Sequence, residues 1–575
     1  MAPAAVDDVT SSSPPRPRIL VPEKVSPDGL ALLTPHFDVD NTIGASVDEL
    51  IAKIPNYHGL IVRSETKVTA ALLQAGRKLK VVARAGVGVD NIDVPAATNQ
   101  GVIVVNSPSG NIAAAAEHTI ALLMATARNI GRADEGVKNS RWERSKLVGI
   151  EVGRKTLGIV GLGKVGHKVA RMAIGLGMKV VAVDPYASHD VASQAGVQLC
   201  SSLDDILPVV DFLTIHTPLL ATTMDLVSEP EFKKMKKTAR VLNVARGGVY
   251  NEAALLKALD EGWIAGAGLD VFTEEPPKPD SVTSQLARHS KVVATPHLGA
   301  STVEAQENVS LDVCTQVLEI LNGGLPTSAV NAPIILPEEY RKLQPSVRLV
   351  EKMGLLYTQH YASSKAGMIG GRKFDLTYHG TLASLPNTKP LYAALVKGLA
   401  ASFSDSHVNI VNAALIAKEK GIIINETYAH DTKDLVYSNL VTLRAYSNGS
   451  EGTHGGEQII QGYTSDHNVY ISRLDRFNAT FAPEGTFILL RNYDQPGKIG
   501  GVGMMLGQHG ININFMQVAS QDPAKAGPAA AVVVDGPAKD HEALMILGVD
   551  RVLSAEVLDE LRRSEGILDA SSVRL

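Results

Sequence analysis

The sequence predicts an α/β protein in which one parallel-sheet unit is inserted into another and two mixed α+β units follow. Three observations predict it. Short β-branched runs alternate with helical segments from residue 18 to residue 295, the pattern of parallel βα units. A glycine turn, Gly161-Leu162-Gly163-Lys164-Val165-Gly166, follows one of those runs directly. Beyond residue 337 apolar and polar residues alternate, which suits sheets with one wet face.

The elements follow in order. Runs 59–62, 79–82 and 102–105 read as strands and 111–128 as a long buried helix. Strand 156–160 enters the glycine turn, a helix including 169–174 leaves it, and strands 179–183, 212–215, 239–243, 266–270 and 292–295 succeed it. Helix 302–322 is expected to return the chain to the first unit, so that 18–107 with 301–333 form a flavodoxin-like unit and 108–300 a Rossmann-type doubly wound unit inserted in it. Residues 325–337 read as a linker. Strands 373–378, 440–444, 457–461 and 468–472 with helices 346–361, 389–403 and 412–420 give a mixed unit over 338–482. The last unit, 485–575, has a βαββαβ order: strand 487–490, helix 497–509, strands 511–519 and 530–534, helix 555–563 and strand 567–573.

Composition agrees with a chain of several soluble domains. It has 575 residues, 45% hydrophobic and 20% charged, with a net charge of -5, a balance that offers nothing to nucleic acid. Cys200 and Cys314 are the only cysteines, which excludes a disulfide framework or a cysteine zinc site and favours a reducing compartment; no metal site is expected. The most apolar stretch, 112–127, holds Glu117, His118 and Thr119 and is too short to cross a bilayer. Residues 1–17 read as a disordered leader of a cytoplasmic protein, the alternative being a plastid protein whose transit peptide has been trimmed.

Chemistry is concentrated at the predicted strand ends. A glycine turn between a strand and a helix lets a dinucleotide pyrophosphate approach the backbone, while the helix N-terminus favours its charge. That makes Gly161, Gly163, Lys164, Val165 and Gly166 candidate cofactor residues. Asp184, ending the next strand, can accept from ribose hydroxyls and would repel a ribose phosphate; Pro185 and Tyr186 follow with no arginine, so NAD is expected rather than NADP. Three further segments, Ala245-Arg246-Gly247-Gly248, Asp270-Val271-Phe272-Thr273-Glu274-Glu275-Pro276 and Thr295-Pro296-His297-Leu298-Gly299-Ala300, supply an arginine, a carboxylate and a histidine. Imidazole suits proton exchange with a 2-hydroxy or 2-oxo group near neutral pH. Glu275 can fix its tautomer, and Arg246 offers a planar fork to a neighbouring carboxylate.

With these motifs the chain resembles the D-2-hydroxyacid dehydrogenase family, and over residues 18–575 its long, phosphoglycerate-oxidising branch. The resemblance implies catalysis by Arg246, Glu275 and His297, and a cofactor site that also includes Thr217, Val244, Ala245, Asp270, Gly299 and Ala300. It further implies substrate binding by Arg63, Ser64, Arg84, Val87 and Gly88, the two arginines facing a phosphate. The expected reaction is NAD-dependent oxidation of D-3-phosphoglycerate to 3-phosphohydroxypyruvate, the entry to L-serine synthesis. The alternatives are a glyoxylate or hydroxypyruvate reductase and, from another class, an NADH-sensing corepressor-like protein.

The segments Arg491-Asn492-Tyr493-Asp494-Gln495-Pro496-Gly497 and His509-Gly510-Ile511-Asn512 resemble the amino-acid-binding ACT domain, making Asn492, Asp494 and Asn512 candidate effector residues. Asn492 and Asp494 stand where the best-known serine-binding form carries histidine and asparagine. The middle unit resembles the intervening domain of the long enzymes, with Gly370, Gly371, Arg372, Lys373, His379 and Gly380 as candidate anion contacts. Residues 138–144 correspond to a region near the family's dimer contact, and a homodimer or homotetramer is expected.

Overall fold

The computed structural model describes residues 16–361, 373–401, 408–430, 437, 439–446, 458–520 and 542–575. Their strands form four sheets. In the first, β1 (Arg18–Val21), β2 (Asp38–Asn41), β3 (Gly59–Val62), β4 (Val81–Arg84) and β5 (Ile103–Asn106) are all parallel in the order β2-β1-β3-β4-β5. This is the flavodoxin-like order. Separate apolar cores cover its two faces, which is why β3 is buried at every residue.

The second sheet contains β6 (Thr156–Val160), β7 (Lys179–Val183), β8 (Gln198–Leu199), β9 (Phe212–Ile215), β10 (Arg240–Asn243), β11 (Gly266–Leu269) and β12 (Val292–Ala294). Its order is β12-β11-β10-β9-β6-β7-β8, again all parallel. The winding reverses between β6 and β9, and a crevice opens beyond the carboxyl ends of the strands at such a reversal.

Two helices join these sheets. Ile112–Ala127 follows β5 and packs on β10 and β11. Gly268 in β11 permits the close approach, since a Cβ there would lie 3.2 Å from both Leu122 Cβ and Thr126 Cγ2 of that helix. Val303–Leu321 returns the chain, placing Val309, Val313 and Val317 in the same core as Ile19 and Ile103. Beyond it Asn331 accepts from the Val104 amide at 2.8 Å and donates to the Val102 carbonyl at 2.9 Å.

The third sheet, β13 (Lys373–His379), β14 (Ile423–Ala429), β15 (Leu440–Tyr446), β16 (Gln458–Ser465), β17 (Asn468–Leu474) and β18 (Phe477–Phe481), is ordered β14-β13-β15-β16-β17-β18 and parallel only at β13 and β14. The fourth, β19 (Thr486–Tyr493), β20 (Ile513–Ser520), β21 (Glu542–Val549) and β22 (Ile567–Arg574), is antiparallel in the order β20-β21-β19-β22. Helices Lys498–Gln508 and Ala555–Arg563 cover one face of it. On the other face Phe487, Leu489, Ile546 and Val573 share one core with the third sheet.

Three differences from the sequence reading have physical causes. The helix expected over 346–361 spans Pro337–His360, with Pro345 inside it. Pro345 reads as a boundary because it lacks an amide donor, yet burial of Leu343, Leu349 and Met353 holds both sides in one helix. Strands β14 and β18 were not expected. The strand expected over 530–534 and the contacts Gly370, Gly371 and Arg372 lie outside the described residues; the third strand of the βαββαβ order is Glu542–Val549, buried from Ala543 onward, a short apolar run whose periodicity does not separate strand from helix.

Candidate active site

The glycine turn leaves β6 at Gly161, whose φ of 92° and whose 2.8 Å approach of an added Cβ to the His216 carbonyl both require glycine. A Cβ on Gly166 would collide with the Gly161 carbonyl, whereas nothing stands near Gly163, which opens the helix Lys164–Gly175. The first-turn amides of that helix are thus accessible to an anion. Asp184 accepts from the Leu162 amide at 2.7 Å and the Tyr186 amide at 2.8 Å, one on each oxygen, so each oxygen keeps a lone pair for a ribose hydroxyl. Lys164 Nζ instead donates to Ser109 Oγ at 2.7 Å, and Val165 is half-buried. Beside Gly161, Thr217 Oγ1 is buried without a partner. An orphaned hydroxyl, an open glycine edge and a part-satisfied carboxylate at one switch point fit NAD. The adjacent His216 is half-buried and meets Thr214 Oγ1 at 3.1 Å; desolvation pushes its pKa down to about 4, so it is neutral.

The catalytic candidates come from the ends of β10, β11 and β12. Asn243, 2% exposed, accepts from the Ala245 amide at 3.0 Å and donates to the Arg246 carbonyl at 2.7 Å, setting the turn that presents Arg246. A Cβ on Gly247 would collide with the Phe272 backbone, so this turn and the Glu275 segment lie in direct contact. Arg246 Nη1 donates to the Ala245 carbonyl at 2.7 Å, and its Nε lies 3.4 Å from Asp90 Oδ2. Glu275 accepts the Phe272 amide at 2.9 Å with one oxygen and meets His297 Nδ1 at 2.7 Å with the other.

The hydrogen bond to Glu275 raises the His297 pKa; burial opposes it, and the Glu275 and Asp270 charges add to the rise. Burial is the largest influence on Glu275 and pushes it up, but the hydrogen bonds from His297 and Phe272 bring the carboxyl below its ordinary value. His297 is a non-glycine residue at φ 56°, and its amide donates to the Asp270 carbonyl at 2.9 Å. The Asp270 carboxylate, 1% exposed, accepts from the Leu298 and Gly299 amides at 2.7 and 2.8 Å and from Thr295 Oγ1 at 2.6 Å. Val244 and Gly299 are buried nearby, with Ala245 and Ala300 half-buried. Arg246, Glu275 and His297 share a cleft of about 460 Å³ with Asp90, Val271 and Thr273.

The substrate candidates lie at the ends of β3 and β4. Arg84 Nε donates to the Arg63 carbonyl at 3.2 Å, and its Nη1 donates to the Gly88 carbonyl. Burial lowers the Arg84 pKa and the nearby Arg246 charge lowers it further, against Asp90 and Glu23, while Arg63 adds to the fall. Three cations therefore converge, and a guanidinium remains charged throughout. The buried Glu23 accepts the Arg63, Glu65 and Thr66 amides at 2.9, 3.2 and 2.9 Å, shaping the loop that carries Arg63 and the exposed Ser64. Asn106 Nδ2 donates to the Val87 carbonyl. Glu23, Asn243, Asn106 and the cleft-lining Asp90 were missed from sequence. Asn243, ending a strand just before the Arg246 turn, carried the one local signal.

The effector candidates are not brought together in the same way. Asn492 lies within β19, 2% exposed, and is not presented by a loop; its Nδ2 donates to the Tyr493 carbonyl at 2.8 Å, and its Oδ1 is buried without a partner. Asp494 is exposed, and the Asn512 amide donates to Asp550 Oδ1 at 3.2 Å. His379 Nε2 meets Thr442 Oγ1 at 3.2 Å; burial, then the Arg444 charge, lowers its pKa, which disfavours a cationic anion contact. Among the described residues no group of three or more His, Cys, Asp or Glu could hold a metal ion, and no helix is long and apolar enough to cross a membrane.

Fold and site define the class, an NAD-dependent 2-hydroxyacid dehydrogenase. Residues 120–299 match the NAD-binding domain of D-isomer specific 2-hydroxyacid dehydrogenases, and residues 342–463 match the D-3-phosphoglycerate dehydrogenase intervening domain. The chain belongs to the D-3-phosphoglycerate dehydrogenase family. It is 41% identical to the D-3-phosphoglycerate dehydrogenase of Synechocystis, over 97% of this chain and 95% of that one. It is 42% identical to the chloroplastic D-3-phosphoglycerate dehydrogenase 2 of Arabidopsis thaliana, over 93% and 85%. The crystal structure of the TT0316 protein from Thermus thermophilus covers 54% of this chain and 99% of its own, with a TM-score of 0.50 and 31% identity.

Proposed function

We propose that the chain oxidises D-3-phosphoglycerate to 3-phosphohydroxypyruvate with NAD, the first step of the phosphorylated route to L-serine. The observation that carries this reading is the 2.7 Å contact of His297 Nδ1 with Glu275 in the cleft that also holds Arg246. Arg246 takes the substrate carboxylate and the C2 oxygen, with backbone amides near Val87 and Gly88 available to the carboxylate. Arg63 and Arg84 take the phosphate, for which two guanidinium groups are better suited than for a neutral hydroxymethyl.

NAD, held by the glycine turn, Asp184, Thr217 and the strand-end residues, supplies the acceptor for the hydride that leaves C2. His297 Nε2, the nitrogen not engaged by Glu275, accepts the C2 hydroxyl proton, and Glu275 stabilises the imidazolium so formed. In the reverse direction the same nitrogen returns the proton. His297→Ala should lose about 100- to 10,000-fold in kcat yet still bind NADH, followed by fluorescence titration. Near-parental turnover would remove the role, and rapid glyoxylate reduction without phosphoglycerate turnover would remove the substrate.

The same reading divides the chain into a substrate unit (18–107 and 301–333), an NAD unit (108–300), an intervening unit (338–482) and an ACT-like unit (485–575). It is a homodimer or homotetramer, a state supported by the exposed Ile130, Val137, Trp142 and Val148 and checked by light scattering. The exposed Asp494 and Asn512 are its amino-acid effector contacts. A reducing cytoplasmic setting suits the buried free thiol of Cys314, and fractionation against a plastid marker distinguishes the two locations.

A further inference from the structure

We propose that His118 is a positioning residue for this reaction: through Asp270 it holds the loop that carries His297, tying the proton-exchanging group to the helix that joins the two parallel-sheet units. The proposal rests on His297 being the acid–base group.

His118 lies far from the catalytic motifs in sequence, on the helix Ile112–Ala127, and its side chain is 19% exposed. Its Nε2 lies 3.1 Å from Asp270 Oδ1 and 3.0 Å from Thr295 Oγ1, while Thr295 Oγ1 donates to the same Asp270 oxygen. The three groups close a triangle. Gly268, two residues before Asp270, is what lets the helix come close enough to make it.

Asp270 in turn grips the loop on both sides of His297. Thr295 precedes the histidine, the Leu298 and Gly299 amides follow it, and the His297 amide itself is held by the Asp270 carbonyl. A non-glycine residue at φ 56° is held in a sparsely populated region, so surrounding contacts must impose it. The other side-chain and amide donors to the Asp270 carboxylate belong to the loop being positioned. His118 is the one that comes from a separate element, and it supplies the external reference for the carboxylate's orientation.

Displacing a reacting group by about 1 Å can cost about 100-fold in rate. The polar partners of His118 are Asp270 and Thr295, not the glycine turn or the three arginines, so its loss should fall on kcat.

The test uses the full chain with His118→Leu, His118→Asn and His118→Gln, assayed beside His297→Ala. Leu removes the polar contact, Asn is too short to reach, and Gln can place an amide near the Nε2 position. Leu and Asn should lower kcat by about 10- to 100-fold with KM for phosphoglycerate within about threefold, and Gln should recover most of the loss. The acid limb of oxidation should move to lower pH in the Leu and Asn enzymes. A loosened loop weakens the Glu275 contact that raises the His297 pKa, among the surrounding Glu275, Asp270 and Arg246 charges. A loss of thermal stability alone would not produce that shift.

Should Leu fail to fold, Asn and Gln carry the test. Unchanged kcat in Asn, equal losses in Asn and Gln, or an unmoved acid limb would each overturn the proposal. An active His297→Ala would instead overturn the acid–base assignment on which it rests.

Discussion

Asp270 and Asn492 are both motif residues buried at strand ends, and they behave differently. Asp270, 1% exposed beyond a parallel strand, has both carboxylate oxygens engaged by donors from the His297 loop and by the His118 ring. Asn492, 2% exposed near the end of an antiparallel strand, pairs with Ala543 and Ile567 through the backbone and leaves its side-chain oxygen without a partner. The difference lies in the sheets. A doubly wound parallel sheet delivers every strand-to-helix loop to one edge, so motif residues converge even when a boundary is misplaced by a residue. In an antiparallel sheet side chains alternate in direction, and a boundary shifted by three residues, from Leu490 to Tyr493, turns an expected loop residue into an interior one.

The comparison can be broken most forcefully at Glu275. Glu275→Gln keeps the shape but removes the charge that favours the protonated ring, and kcat should fall by roughly 100-fold or more, as when an orienting carboxylate is lost elsewhere. Oxidation needs neutral His297. Because Glu275 raises the His297 pKa, the acid limb of oxidation lies above the ordinary histidine value of about 6.5 and should move down in the variant, read from kcat/KM against pH. An upward shift would contradict the arrangement.

Asp270→Asn should follow, with about a 100-fold loss in kcat/KM, because an amide nitrogen would face amides that now donate to a carboxylate. Arg84→Gln should come next, raising KM for phosphoglycerate by about 10- to 100-fold, the scale of one or two charged hydrogen bonds. Its effect on unphosphorylated glycerate should be small, and equal effects on both would remove Arg84 from the phosphate site. Asn492→Leu should do least. Removing an unpartnered acceptor together with one bond to the adjacent Tyr493 carbonyl should leave the midpoint of thermal unfolding within about 3 °C, and a larger fall would show that the Asn492 oxygen is satisfied in solution.

Much of the fold was legible because its signals are local. Strands 59–62, 156–160, 179–183 and 212–215 have the predicted bounds, since a buried parallel strand is a β-branched run ended by turn residues. Helix Ala555–Arg563 likewise has the predicted bounds, and its buried Val557 and Leu561 fall at helical spacing. Strand Ile423–Ala429 was not, because its residues are half exposed at the sheet edge and their pairing with Lys373–His379 is set across some fifty residues of chain.

The sequence by itself determined the chemistry on offer: a glycine turn that admits a pyrophosphate, a carboxylate suited to a ribose, and an arginine, a glutamate and a histidine at strand ends. Those choices are made by residue type and short spacing, which the chain carries openly. Only the tertiary structure decided which groups hold them in place. Glu23 beneath the Arg63 loop and His118 against Asp270 are ordinary residues in sequence. Their roles arise because folding brings segments 40 to 152 residues apart within hydrogen-bonding distance, where a buried polar group must find a partner.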